Sequence, residues 1–308
     1  MQFYGENAQH KQRFHCQFCH HTYTWKVPFN STLHLQHWFR LWVTESCSIK
    51  LLCQLSGYSK AKLNSIKNYW LGQRPKEKID YTAVRYLVYD ATYFHRDGCL
   101  LNLMDAKNQK IISYIYTHKE SFNEACPWFM NLKNQGLNPL FITTDGEQSI
   151  MRAMKLVWPT ARLQRCLYHL QHESMRWLRT YPKTKAGKIL RSILSRLCSI
   201  QTLNERDDFI HLYQSWMVNY KSYVLSLPRE EVAFKDIKRT MVLINNALPD
   251  MFYFLEDRSV HVTTNALEGF HSRLKADYQR HRGLSREHKI QYIGWYCYFE
   301  NVSKTNSF

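Results

Sequence analysis

Two aspartates stand at the ends of short apolar segments in the middle of the chain. Asp90 lies in the run 85–92 and Asp145 directly follows the run 139–144. Such runs predict buried strands, and carboxylates on adjacent strands would converge at one edge of a sheet. Carboxylate oxygens suit Mg²⁺, and two such ions can activate a water or hydroxyl and stabilise the leaving oxygen of a phosphodiester. Taken singly, either aspartate is more often an ordinary strand-end or turn residue.

The elements that would position these aspartates follow from the apolar pattern. Strands are predicted over 85–92, 99–104, 111–116, 139–144 and 161–168, and helices over 121–134 and 148–157. Ser121 with Glu124 predicts a capping box at the start of the first of these helices. The middle of the chain therefore has the predicted order β-β-β-α-β-α-β, an α/β class.

A Cys-x-x-Cys pair lies near the beginning of the chain. Cys16 and Cys19 have the spacing of a knuckle that supplies two thiolates to tetrahedral Zn²⁺. The surrounding residues are typical of the second half of a zinc ribbon, whose first half would be missing through truncation or a misplaced start. Four histidines could replace the missing ligands: His10, His15, His20 and His21. A degenerate knuckle without metal remains the alternative.

A Cys-x-x-His pair, Cys166 and His169, follows the last predicted strand. It could be half of a metal site, but no second pair follows at a suitable spacing. The favoured interpretation is a buried structural pair beside the active site. Alternatively, His169 could contact a phosphate group of a substrate.

Three predicted helices follow the N-terminal knuckle, over 31–43, 46–55 and 60–71. Gly57 lies in the tight turn before the third helix, which Ser59 can cap. The third helix carries Lys60, Lys62 and Lys67. A helix, a short glycine-containing turn and a basic helix are typical of a helix-turn-helix that binds DNA. An ordinary helical hairpin is the alternative.

The charge of the chain indicates a polyanionic partner. Of 308 residues, 42 are Lys or Arg and 25 are Asp or Glu, a net charge of +17. The excess is +7 over 1–80, +3 over 81–165 and +7 over 166–308, which predicts binding of nucleic acid around a balanced core. The absence of a long apolar run predicts no membrane span. The odd count of nine cysteines indicates a reducing, cytoplasmic compartment, nucleoid-associated if the source is bacterial.

The motifs, in this order, resemble the DDE transposases, and most closely the Mutator-like elements with their bacterial insertion-sequence relatives. The first two motifs are Val88-Tyr89-Asp90-Ala91-Thr92 and Thr144-Asp145-Gly146. Val157-Trp158-Pro159 and the Cys166–His169 pair match the segments that follow the second aspartate in that family. Glu268, in Asn265-Ala266-Leu267-Glu268, matches the third acid, and Lys275 matches a basic residue often found after it.

The resemblance implies a ribonuclease H-like core interrupted by an all-helical insertion before the glutamate helix. It also implies that Asp90, Asp145 and Glu268 bind Mg²⁺ or Mn²⁺. Glu256 and Asp257 are the main competitors for the third acid. The predicted domains are a partial zinc-ribbon-like knuckle (1–28), a helix-turn-helix (29–80), the first part of the core (81–172), the helical insertion (173–257) and the glutamate helix with the end of the core (258–308).

A basic stripe is predicted beyond Glu268, on a helix that continues through the end of the core. It would contact DNA phosphates; a solvated charged face is the alternative. Its residues are His271, Arg273, Lys275, Arg280, His281, Arg282 and Arg286.

The function implied by the resemblance is that of a transposase that binds the terminal repeats of a mobile element and cuts and joins DNA. Double-stranded DNA at element ends and target would be its partner, in a homo-oligomeric synaptic complex. Two alternatives remain open: a domesticated or inactive relative that only binds DNA, and a ribonuclease H-like nuclease without strand transfer.

Overall fold

The computed structural model describes residues 2–8, 12–24, 31–95, 97–281 and 283–305. His10 lies outside these ranges, and so does Arg282. The chain divides into two compact units, residues 1–74 and 75–308. In the described part of the chain, no helix is both long and apolar enough to cross a membrane.

The first unit begins with a small antiparallel sheet in the order β1-β2-β3. Its strands are β1 (Gln2–Glu6), β2 (Gln12–His15) and β3 (Thr22–Thr24). The Cys-x-x-Cys segment forms the turn between β2 and β3. The backbone N–H of His20 donates to the carbonyl of Cys16 at 2.9 Å, and the N–H of Cys16 donates to the carbonyl of His21 at 3.0 Å.

Three helices complete the first unit: α1 (Ser31–Thr44), α2 (Ile49–Ser56) and α3 (Lys60–Leu71). The side chains of Ser48 and Ser59 cap α2 and α3 by accepting backbone N–H groups. Gly57 ends α2 at φ +71°, a conformation that favours glycine. The helices share a buried apolar face that includes Phe39, Val43, Leu52, Leu63, Ile66 and Trp70.

The second unit is built on a mixed five-stranded sheet in the order β6-β5-β4-β7-β8. Its strands are β4 (Tyr86–Tyr93), β5 (Cys99–Asp105), β6 (Ile111–Thr117), β7 (Phe141–Thr144) and β8 (Arg162–Arg165). The β6-β5-β4 part is antiparallel, whereas β7 and β8 run parallel to β4. With α4 (Phe122–Asn134) and α5 (Gln148–Val157), the predicted order β-β-β-α-β-α-β is confirmed.

One face of this sheet packs against α4 and α5 through a single apolar core. Tyr89, Phe129, Met154 and Trp158 are among its fully buried members. The indole N–H of Trp158 donates to the carbonyl of Leu137 at 2.8 Å, so this buried polar group keeps a partner. The core fixes the sheet that carries the two aspartates.

The segment after β8 is helical, as its apolar periodicity predicts. It contains α6 (Leu167–Leu178), α7 (Lys185–Leu194), α8 (Leu203–Ser226), α9 (Val232–Ala247) and α10 (Tyr253–Glu256). These helices enclose a second core that includes Leu190, Trp216 and Ile244. The chain then returns to the sheet through α11 (Asn265–Gln279) and ends in α12 (Arg286–Thr305).

Three local predictions are wrong. The strand predicted over 161–168 ends at Arg165, and His169 lies in the first turn of α6. Ser121 precedes α4 without a side-chain capping hydrogen bond, so no capping box forms there. The basic stripe does not lie on one continuous helix, because α11 ends at Gln279 and α12 begins only at Arg286.

Candidate active site

Asp90 and Asp145 lie close together on adjacent central strands of the mixed sheet, Asp90 within β4 and Asp145 just after β7. In the parallel pair of β4 and β7, Val88 is opposite Thr143, and each aspartate follows its pairing residue by two positions. Burial first, and then the negative charge of Asp90, raise the pKa of Asp145. The two carboxylates are therefore close enough to repel each other, which a divalent cation between them would relieve.

Asp90 is held by a buried histidine from the glutamate helix. The side chain of Asp90 is 8% exposed, and its Oδ2 lies 3.2 Å from Nδ1 of His271. The other ring nitrogen of His271, Nε2, lies 2.8 Å from Oδ1 of Asn102 on β5. Contacts on both ring nitrogens fix the imidazole plane, and this plane orients Asp90. The prediction of His271 as part of a basic stripe that contacts DNA is wrong, because its side chain is only 5% exposed.

Asp145 is oriented by the turn that follows β7. Its Oδ1 accepts the backbone N–H of Glu147 at 3.1 Å and the hydroxyl of Thr144 at 3.3 Å. Gly146 has φ +96°, a conformation that permits this tight turn. The turn therefore fixes the orientation of the Asp145 carboxylate.

Arg165 supports the same turn from β8. Its Nη2 donates to the carbonyl of Asp145 at 3.0 Å, and its guanidinium packs against Gly146. A Cβ at position 146 would lie only 2.1 Å from Cζ of Arg165. Burial lowers the pKa of Arg165, whereas the charge of Asp145 opposes that shift. Sequence patterns gave no reason to single out Arg165, whose role depends on a neighbouring strand.

Glu268 lies in the first turn of α11, beside the Cys-x-x-His pair. The hydroxyl of Thr264 donates to Oε1 of Glu268 at 3.0 Å, and Nδ1 of His169 lies 3.6 Å from the same oxygen. Nδ1 of His169 also lies 3.4 Å from Sγ of Cys166. The hydrogen bond to Cys166 is the main cause that raises the pKa of His169 to about 9, and the charges of Asp145 and Glu268 add to it. His169 is therefore close enough to Asp145 and Glu268 for both charges to affect its pKa.

The competing acids are engaged elsewhere. Asp257 accepts the hydroxyl of Tyr86 at 2.6 Å, and Glu256 lies 3.6 Å from Nη1 of Arg162. Neither carboxylate has a contact with Asp90 or Asp145 among the interactions of the described residues.

Glu120 is a further carboxylate near the two aspartates, and the sequence prediction missed it. It lies between β6 and α4, where its Oε1 accepts the hydroxyl of Tyr89 at 2.8 Å. Burial, followed by the negative charge of Asp145, raises its pKa to about 7. The only available signal was its place just after a strand, the same signal that identified Asp145.

Comparisons with known proteins place the strand-and-aspartate segment in a family. Residues 86–173 match the family model described as the MULE transposase domain. The matched segment, 88 of the 308 residues, is similar to the transposase domain of the Mutator-like superfamily. No curated protein matches the chain. Among solved structures, it is similar to a chain of the simian T-cell lymphotropic virus intasome in complex with PP2A regulatory subunit B56 gamma. That match has 16% identity and a TM-score of 0.22, and it covers 54% of this chain and 69% of the other.

The MULE domain contains both predicted aspartates and the Cys166–His169 pair. Glu268 lies outside the matched residues, but the fold brings it to His169. All three acids therefore belong to one region of the second unit. Their carboxylate oxygens are hard donors that suit Mg²⁺ or Mn²⁺, and the repulsion that Asp90 exerts on Asp145 fits a site built for a cation.

The predicted DNA-binding residues near the MULE domain differ in their surroundings. Arg273 pairs with Glu300 at 3.0 Å, and Lys275 is half-buried with its Nζ 5.9 Å from the ring centre of Phe94. Arg280 is exposed, and Arg282 lies outside the described residues. Fewer basic side chains of this predicted stripe are therefore exposed than the sequence suggested.

In the first unit, Lys60 and Lys62 are exposed on α3. Lys67 is half-buried and donates to Oδ1 of Asn64 at 3.2 Å. Of the three lysines, only Lys60 and Lys62 are therefore exposed to solvent.

The two cysteines of the N-terminal knuckle lie in a tight turn between β2 and β3. Backbone N–H groups of Cys19 and Phe18 lower the pKa of the Cys16 thiol. Cys19 is exposed, and its Sγ lies 3.6 Å from the hydroxyl of Tyr23. Within the described residues, Cys16 and Cys19 are not joined by a third ligand at metal-binding distance.

Proposed function

We propose that this protein is a DDE transposase that binds the terminal repeats of a mobile DNA element and catalyses metal-dependent strand cleavage and strand transfer. The observation that carries the proposal is the register of β4 and β7, which sets Asp90 beside Asp145 within a MULE transposase domain. We further infer a ribonuclease H-like core. The strand order β6-β5-β4-β7-β8, antiparallel on one side of β4 and parallel on the other, supports that inference.

In the proposed mechanism Asp90, Asp145 and Glu268 are the metal-binding acids. Bound there, Mg²⁺ or Mn²⁺ would lower the pKa of an attacking water or 3′-hydroxyl and stabilise the leaving oxygen. The chain's own contribution is orientation. His271 holds Asp90, the backbone N–H of Glu147 holds Asp145, and the Thr264 hydroxyl holds Glu268. Such supporting hydrogen bonds keep carboxylates in place before substrate arrives.

DNA binding in this proposal is divided between the two units. Lys60 and Lys62 of α3 would meet the phosphates of the terminal repeat, and the basic residues after Glu268 would hold DNA near the acids. A homo-oligomer that pairs two element ends is the assembly in which we expect cleavage. Zn²⁺ at the Cys16–Cys19 knuckle stays a proposal of the same kind.

The decisive experiment uses the full chain with DNA that carries the inverted repeats flanking its coding sequence. Asp145→Asn should abolish Mg²⁺-dependent cleavage and retain the gel shift on this DNA, because the substitution removes a ligand without touching the basic surfaces. Asp207→Asn is the matched control, since Asp207 is an exposed aspartate on α8. Normal cleavage by Asp145→Asn would refute the assignment.

Pre-cut ends and a target plasmid then separate the three candidate functions. Joined products would support a transposase, whereas nicks alone would indicate a nuclease without strand transfer. A gel shift with neither product would indicate a relative that only binds DNA.

A further inference from the structure

Cys166, His169 and Glu268 form a compact group of potential metal ligands. Sγ of Cys166, Nδ1 of His169 and a carboxylate oxygen of Glu268 all lie within 4.8 Å of one another. Among the described residues, this is the one group of three or more such side chains at that spacing. Cys166 and His169 come from the start of α6, and Glu268 comes from the first turn of α11.

Two of the three donor spacings match a tetrahedral zinc site, and the third, between Sγ of Cys166 and Glu268, is within 4.8 Å. Zn²⁺ bonds of ~2.3 Å to sulfur and ~2.0–2.2 Å to nitrogen or oxygen place neighbouring donors about 3.3–3.6 Å apart. Sγ of Cys166 lies 3.4 Å from Nδ1 of His169, and that nitrogen lies 3.6 Å from Oε1 of Glu268. Little movement is therefore needed to seat an ion among the three atoms.

Thr264 supplies the surroundings that such a site requires. Its backbone N–H donates to Sγ of Cys166 at 3.4 Å, a bond that stabilises a thiolate. Its hydroxyl lies 3.3 Å from Nδ1 of His169 and 3.0 Å from Oε1 of Glu268. His169 and Glu268 are 31% and 35% exposed, so an ion can enter from solvent, whereas Cys166 is fully buried.

We propose that Cys166, His169 and Glu268 bind Zn²⁺, with water as the fourth ligand. Glu268 is then withdrawn from the proposed Mg²⁺ site in the sense that its carboxylate is already bound to zinc. The ligand set separates the two sites by chemistry. A thiolate and an imidazole select Zn²⁺, whereas oxygen ligands suit Mg²⁺. The withdrawal of Glu268 rests on the proposed function, because it predicts that zinc inhibits Mg²⁺-dependent cleavage. Zinc binding itself does not depend on that function.

Binding is tested on the full chain with Cys16 and Cys19 replaced by serine, so that the N-terminal knuckle contributes no thiolate. Zn²⁺ is titrated against a chromogenic chelator without DNA, and Co²⁺ serves as the spectroscopic probe. We expect one equivalent of Zn²⁺ and a thiolate-to-cobalt charge-transfer band. Cys166→Ser and His169→Gln should each weaken binding by more than the ~100-fold that loss of an outer-shell partner can cost. His172→Gln, one turn further along α6, is the matched control and should bind normally.

Equal zinc affinity in Cys166→Ser, His169→Gln and the parent chain would overturn the proposal. If either variant fails to fold, X-ray absorption of the zinc-loaded parent decides instead. One sulfur among the ligands supports the site, and a shell of nitrogen and oxygen alone overturns it.

Cleavage assays separate this proposal from the proposed function. Zinc should inhibit Mg²⁺-dependent cleavage by the parent chain, and Cys166→Ser should need more than tenfold more zinc for the same inhibition. Inhibition that is identical in the two proteins would overturn the withdrawal of Glu268. If no cleavage occurs under any condition while zinc binding depends on Cys166, the proposed function fails and the zinc site stands.

Discussion

His271 of the glutamate helix bonds directly to Asp90 in the centre of the sheet, with Nδ1 3.2 Å from Oδ2. The contact joins two residues that are 181 positions apart in the sequence. It therefore couples the placement of α11, and with it Glu268, to the strand that carries the first acid. His271 is a positioning residue in the proposed site, because it reaches Asp90 and not the substrate.

Replacing His271 should impair catalysis without impairing DNA binding. Loss of a side chain that orients a metal ligand typically costs about 10–100-fold. We expect His271→Ala to lower the rate of Mg²⁺-dependent cleavage by that factor and to raise the Mg²⁺ concentration needed for half-maximal rate. His211→Ala on α8, which is exposed, is the control. A normal rate and metal requirement in His271→Ala would show that Asp90 needs no such support.

Gly146 should be intolerant of even one methyl group. A Cβ there would lie 2.1 Å from the guanidinium of Arg165, at a φ of +96° that disfavours other residues. We expect Gly146→Ala to lower the free energy of unfolding by about 2–5 kcal/mol, combining backbone strain with overpacking. The measurement is urea denaturation of the metal-free protein.

Gly269→Ala is the control, and its effect on the free energy of unfolding should not be a loss. Gly269 lies within α11, and the nearest atom to an added Cβ, Nη1 of Arg273, is 3.7 Å away. Alanine is the better helix former by about 1 kcal/mol, so Gly269→Ala should leave stability unchanged or raise it. Equal loss of stability in both variants would contradict the specific contact between Gly146 and Arg165.

The lysines of α3 should contribute to the salt dependence of DNA binding. Each phosphate contact changes the slope of log K against log salt concentration by about 0.9. Lys60→Ala and Lys62→Ala should each reduce the slope for element-end DNA by roughly that amount. Lys107→Ala, in the turn between β5 and β6 at the sheet edge away from the two aspartates, is the control. Unchanged slopes for both α3 variants would show that these lysines do not contact DNA phosphates.

Much of the fold was predictable because its signals are local. The helices predicted over 60–71 and 148–157 are confirmed, since apolar spacing and flanking turns define their ends. The pairing of β4 with β7 confirms that Asp90 and Asp145 lie on adjacent strands. The prediction that Asp90 ends its strand is wrong, because β4 continues to pair with β5 as far as Tyr93.

The rest depended on partners that are distant in sequence. His271 carries the same local pattern as its basic neighbours, and only Asn102 and Asp90 make it a buried residue. The helix beginning at Leu167 was hidden because the apolar run of β8 continues into it. The sequence likewise could not show that Glu120 lies near Asp145 and Asp90, because only the folded sheet brings these residues together.

Glu120 should make the stability of the metal-free protein depend on pH. Its folded pKa of about 7 exceeds the ordinary value of 4.5, so the folded chain binds the proton more tightly than the unfolded chain. Stability should therefore fall as pH rises from about 4.5 to 7, by up to about 3 kcal/mol from this group. Glu120→Gln removes the charge and keeps an acceptor for Tyr89. We expect it to raise the free energy of unfolding at pH 8 and to change it little at pH 4.5, measured by urea denaturation with EDTA.

Glu124→Gln is the matched control, because Glu124 is exposed in the first turn of α4, where a negative charge is favourable. That variant should show no gain at pH 8, and an equal gain in both would contradict a specific repulsion between Glu120 and the aspartates.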